Sequence, residues 1–306
     1  MQTTLQSAAR FRGTSLHSGR TVRISVLPAP ADHGIVFHRT DVVPGTGNIP
    51  ALWHHAEPAP LCTRIRNAAG VHLDTIEHLM AALAGCGIHN ALIEVDGPEV
   101  PILDGSAAPF VRAFVAIGVE TLAAPVRALR LLAPVEVTVG RAYARLDPAP
   151  HLQISFHIDF EDAAIGRQSK HLSMANGSFV RELSDSRTFC RQSDVDAMHA
   201  AGLALGGTYE NAVVVDGARV LSPGGMRHAD EPVRHKMLDA LGDLALAGMP
   251  ILARYTGIRA GHSVTGRLLE GLFATPQAWE VITLSGAETR LLPGAGVCVS
   301  DLRMTA

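Results

Sequence analysis

His235 and Asp239 lie four residues apart in the stretch EPVRHKMLDALGDLALAG, residues 231–248. That stretch predicts one helix. Leu238, Leu241, Leu244, Ala245 and Leu246 form its apolar stripe, Pro232 suits a first turn, and Gly248-Met249-Pro250 closes it. Residues four apart on a helix project from one face, so an imidazole and a carboxylate placed this way can hold one metal ion from a rigid element. Asp243 continues the face and Lys236 lies beside it. Two further pieces carry similar chemistry: Glu77-His78 at the start of another predicted helix, and His262 after a glycine in RAGH. Two His and one Asp (His78, His235, Asp239) would leave a fourth zinc position open, as in catalytic rather than structural sites. Zinc lowers the pKa of water to roughly 7. Glu77 then suits a general base, His262 an oxyanion stabiliser or proton donor to a leaving amine, and Asp243 a group that orients an imidazole. A His–Asp pair at this spacing also occurs as an ordinary surface or half-buried ion pair. Fifteen histidines make accidental constellations easy.

The elements needed to position these groups read as follows. TVRISV alternates, with Val22, Ile24 and Val26 on one face. GIVFHR is a further strand, LCTRI and VHLD bracket a hairpin turn, and NALIEVDG is a buried strand. DTIEHLMAALAGCG predicts a helix capped by Asp74 or Thr75, with Ile76, Leu79, Met80 and Leu83 inward. A helix near 107–118 closes the first half. Residues 122–128, LAAPVRA, are the candidate linker. Strands are predicted over 129–139, 142–147 and 151–160, helices near 177–184 and 193–202, a buried strand AVVVD, a strand ILARYTGI, a helix after His262 and a last strand near 279–285. Both halves run from strands to a His-bearing helix to strand to helix, which suggests a duplicated α+β architecture.

The chain has 306 residues, 47% apolar and 18% charged, ample for a buried core and long enough to expect two domains. A net charge of −3 points away from nucleic acid. Only Lys170 and Lys236 are lysines, so a compact ammonium beside the metal-type pair stands out in an Arg-rich chain. Cys62, Cys86, Cys190 and Cys298 show no CxxC spacing and read as reduced core thiols. With no apolar signal core and no run of about 18 apolar residues, a cytoplasmic protein without stable membrane insertion is expected. GLALGG lacks a nucleotide-binding context.

TIEHLMAALAGCGIHNALIEVDGPEVPILDGSAAPF resembles the first-domain signature of the UDP-3-O-acyl-N-acetylglucosamine deacetylases, zinc enzymes of lipid A biosynthesis. LHSG, SDSRTF, LALGGTYENAVVVD, HADEPVRHKMLDALGDLALAG and the Gly-His of RAGH resemble it too, in order, over residues 3–275. The resemblance implies two α+β domains of similar topology (1–125 and 126–306), each a sheet layered against helices, with the active site between them. It places one zinc, for which iron(II) could substitute, on His78, His235 and Asp239. It makes Glu77 the base, His262 the catalytic histidine and Asp243 its partner. Thr188 would contact the substrate carbonyl, with Phe189 next to it, and Lys236 would be the active-site lysine. Asp159 and Phe160 fall at the nucleotide end. The resemblance also implies an acyl passage formed by an insert around 191–212, with Val195, Met198 and Leu203 expected to line it. Arg259 and Ala142 stand where the family pattern has lysines, and Arg still pairs with a diphosphate. The implied partner is a small acylated UDP-sugar, and a monomer is expected. Two alternatives stand beside this reading: a zinc deacetylase for another acylated sugar nucleotide, and a silent zinc-binding scaffold.

Overall fold

The structure is a computed structural model and describes residues 1–59 and 61–302. Seven α-helices are described: α1 (Glu77–Gly85), α2 (Ala108–Ile117), α3 (Ser178–Glu182), α4 (Gln192–Ala200), α5 (Glu231–Leu244), α6 (His262–Phe273) and α7 (Gly286–Thr289). Two larger sheets accompany them, and the fold is α+β.

One strand order occurs twice. In the first half Ala9–Thr14 pairs antiparallel with Thr21–Pro28, which pairs antiparallel with Ala91–Val95. Ile35–Arg39 lies parallel to Ala91–Val95 and carries Asn48–Pro50 antiparallel at the edge. In the second half Val135–Val139, Ala142–Pro148, Ile251–Ile258, Gln153–Asp159 and Arg167–Ser173 repeat that order and those directions. α1 and α5 each precede the central strand of their sheet, and α2 and α6 each follow it. Both α1 and α5 are preceded by a long segment of mostly irregular chain, residues 51–59 with 61–76 and residues 174–230.

Alternation explains the sheets. Thr21–Pro28 buries Val22, Ile24 and Val26 on one side, and Gln153–Asp159 buries Ile154, Phe156 and Ile158. α1 packs on α5, and one continuous apolar cluster includes residues of both halves. α5 is buried nearly all round, with only Arg234 and Lys236 partly accessible. Close packing of the two helices requires Gly242, where a Cβ would lie 2.1 Å from the Glu77 carbonyl oxygen.

Several expectations change. Neither Asp74 nor Thr75 caps α1. Its N-cap is Ile76, without a side-chain cap. Thr75 adopts a left-handed φ of 57° and gives its hydroxyl to Glu99, while Arg64 engages Asp74. The strand expected over 129–139 is two strands, Arg127–Leu131 and Val135–Val139, since Pro134 cannot donate to a ladder. Arg127–Leu131 also takes in the end of the expected linker. Arg167–Ser173 is a strand that alternation does not reveal, because it is a polar edge with no buried residue.

Candidate active site

His78 comes from α1, and His235 and Asp239 from adjacent turns of α5. All three are buried, and their ligand-type atoms lie within 4.8 Å of one another. The Nδ1 of His235 lies 3.0 Å from the Ser186 carbonyl oxygen. A carbonyl only accepts, so Nδ1 carries the hydrogen and Nε2 is turned toward Asp239 Oδ1 at 3.2 Å. His78 Nε2 lies 3.7 Å from the same oxygen. Burial, reinforced by His235, lowers the His78 pKa to about 3, which keeps that imidazole neutral. Asp239 Oδ1 is enclosed and accepts no hydrogen bond among the described residues. An unsatisfied buried carboxylate oxygen facing two imidazoles is costly unless a cation completes it. The donor set therefore fits a metal ion, and this cluster can hold one.

The other oxygen of Asp239 accepts from Lys236 Nζ at 2.7 Å. Burial alone would lower the Lys236 pKa, but Asp239, Asp243 and Glu77 raise it above its usual value, so the ammonium stays charged. Glu77 is buried at the first residue of α1. Desolvation, with Asp239 and Asp243 adding repulsion against the pull of His262, brings its pKa up to about 7. His262 opens α6. Burial opposes its protonation, yet Asp243, Glu77 and Asp239 raise its pKa to about 9. Its Nε2 lies 3.7 Å from Glu77 Oε1 and 3.9 Å from Asp239 Oδ2, and its Nδ1 lies 2.9 Å from Asp243 Oδ2. A carboxyl group poised near neutrality and a stable imidazolium thus flank the metal-type cluster.

The family model for LpxC, UDP-3-O-acyl N-acetylglycosamine deacetylase, matches residues 2–274. A UDP-3-O-acyl-N-acetylglucosamine deacetylase from Phenylobacterium zucineum (strain HLK1) is 48% identical over 284 residues, covering 93% of this chain and 97% of the relative. Those of Shewanella sp. (strain W3-18-1) and Shewanella baltica (strain OS155 / ATCC BAA-1091) are 44% identical over 284 residues, covering 92% of each chain. The chain belongs to this family. It is an amide-hydrolysing enzyme of the UDP-3-O-acyl N-acetylglycosamine deacetylase family.

Around the cluster, the SDSRTF segment is fixed by a buried ion pair. Arg187 reaches Glu231, at the start of α5, through Nε at 3.0 Å and Nη2 at 3.2 Å, and its backbone N–H adds a bond at 2.9 Å. This brings Ser186 onto His235 and sets Thr188 beside Gly105, whose carbonyl accepts the Thr188 N–H at 2.8 Å. Phe189 follows. Its ring meets Phe160 edge-on at 5.4 Å and His235 at 6.3 Å, so Phe160 lies one ring away from the cluster. Asp159 pairs with Arg259, and with Arg167 at 3.1 Å, and both hold its carboxyl below the usual range.

A cavity of about 380 Å³ opens at Thr188 and Phe189 and is lined by Val195 and Met198 of α4 together with Leu16 and Tyr209. Leu203 is not among its lining residues. It lies just past α4, with its N–H on the Met198 carbonyl. Two residues near the site carry no spacing signal. Thr63, before the Arg64–Arg66 strand, touches Glu77, Asp243 and His262. His17 borders the cavity with both ring nitrogens enclosed and without a partner among the described residues. Its only sequence signal is the LHSG motif. No helix among the described residues is long and apolar enough to cross a membrane.

Proposed function

We propose that this chain removes the acetyl group from UDP-3-O-acyl-N-acetylglucosamine by hydrolysis, giving acetate and the free 2-amine, as the committed step of lipid A biosynthesis. The observation that carries the reading is the His78–His235–Asp239 cluster flanked by Glu77 and His262, in a chain that covers nearly all of relatives bearing this name. Zinc is the ion we assign to the three ligands, with iron(II) as a substitute. When bound it would polarise water and the acetamide carbonyl.

The chain's own groups supply the rest. Glu77 accepts a proton from the attacking water, and burial holds its carboxyl above the usual carboxylate range, which makes it a stronger base than an exposed glutamate. His262, kept as imidazolium by Asp243, offsets developing negative charge and supplies a proton to the departing amine. Thr188 offers its hydroxyl to the carbonyl oxygen, and Lys236 adds a fixed positive charge. Phe160, Asp159 and Arg259 take the nucleotide end. The cavity along Phe189, Val195 and Met198 takes the acyl chain. The two domains divide at 125/126, and the protein works as a cytoplasmic monomer.

The test is free-amine formation from UDP-3-O-(3-hydroxyacyl)-N-acetylglucosamine by protein stripped with a chelator and then given one equivalent of zinc. Turnover that disappears and returns supports the reading. Absence of turnover with zinc bound at one per chain refutes it.

A further inference from the structure

We propose that Thr63 is a positioning residue that sets the orientation of both proton-handling groups, Glu77 and His262, through one hydroxyl and one backbone N–H. The proposal rests on the roles just given to those two groups. Thr63 is buried and touches three helices at once. Its N–H donates to Glu77 Oε2 at 3.1 Å, its Oγ1 lies 2.5 Å from Asp243 Oδ1, and the same oxygen lies 3.0 Å from His262 Nδ1. Its carbonyl accepts from Ile76 N, the residue before α1, at 3.5 Å.

Directions follow from what each atom can do. A carboxylate only accepts, so the single hydroxyl hydrogen goes to Asp243. Thr63 Oγ1 is then an acceptor toward His262 Nδ1, as is Asp243 Oδ2 at 2.9 Å. Two acceptors around Nδ1 require a hydrogen there, which leaves Nε2 as the nitrogen that faces Glu77 Oε1. Thr63 is also the one hydrogen-bond donor to Asp243 Oδ1 among the described residues, so it fixes which carboxylate oxygen His262 meets. The N–H does the same for Glu77, pinning Oε2 so that Oε1 turns inward. Without the hydroxyl, a buried carboxylate oxygen is left unpaired and Asp243 loses its fixed rotation.

Thr63→Val keeps the shape and the N–H and removes only the hydroxyl, and Thr63→Ser keeps the hydroxyl. Outer partners of this kind are worth about 10- to 100-fold in activity. In the full zinc-loaded chain, Thr63→Val is expected to lose about that much kcat with KM within about twofold and zinc content unchanged, while Thr63→Ser retains most of the rate. Crystal structures of both variants give a readout independent of substrate. The His262–Asp243 contact should open beyond hydrogen-bond reach in the valine variant and persist in the serine variant. An unchanged contact in the valine variant overturns the proposal, as does full kcat there or equal loss in both variants. An inactive wild-type chain would instead refute the substrate assignment, and the two crystal structures would still decide the role of Thr63.

Discussion

Glu77 and His262 hold opposite charges across 3.7 Å, and the balance between burial and neighbours sets when each does so. In its proposed role as base Glu77 must be ionised, so turnover is expected to fall as pH drops through its pKa. That value is about 7 in the metal-free chain and lower beside a bound cation. In its proposed role His262 must be protonated, so turnover is expected to fall again as pH rises through its pKa, which is about 9 in the metal-free chain and lower beside a bound cation. A bell-shaped kcat profile is the expected result, and His262→Ala should lose its basic limb in a pH series. Glu77→Gln should lower kcat by about 10²-fold or more with zinc still bound, as amine release and metal analysis on one sample would show. The cluster was partly legible in the sequence: the i,i+4 pair on a helix and the Glu-His step are visible without tertiary contacts, while the family resemblance was what joined them. Thr63 was not, since a threonine in a short hairpin has no pattern of its own. Its importance comes from three helices that meet only in the folded chain.

α1 and α5 bring their groups together because Gly242 lets the helices approach to backbone contact. An added methyl would sit 2.1 Å from the Glu77 carbonyl oxygen and 3.2 Å from the Ala81 nitrogen. Gly242→Ala should therefore move α1 at the very residues that carry Glu77 and His78. Overpacking of this type costs about 1–3 kcal/mol, so denaturant melts should show that loss, with kcat falling further than stability alone explains. Periodicity revealed most of these elements, from α5 to the alternating strand Thr21–Pro28. It missed Arg167–Ser173, which buries no residue, and it placed a cap on α1 where Thr75 in fact turns left-handed toward Glu99. Local preference yields to tertiary partners at such places.

At the scale of the molecule, His78 comes from the first half, and His235 and Asp239 come from the second. An ion there would be bound only by the assembled chain, and ligand that binds only the folded form adds about 2.7 kcal/mol at one hundred times Kd. Zinc should raise the melting temperature in a concentration-dependent way, and His78→Ala should abolish most of that rise in a thermal scan. The repeated run of strands to His-bearing helix was readable in the sequence. The matching strand order was not, because pairing directions are set by contacts far apart in the chain. That repetition has a consequence for how such enzymes can change. The segments before α1 and α5 occupy corresponding places in the two halves, and each reaches the cluster, one through Thr63 at His262 and the other through Ser186 and Phe189 at His235. If residues 191–212 form the proposed acyl passage, grafting them from a relative should alter which acyl chain is accepted while leaving both sheets, and the ligand residues on α1 and α5, in place.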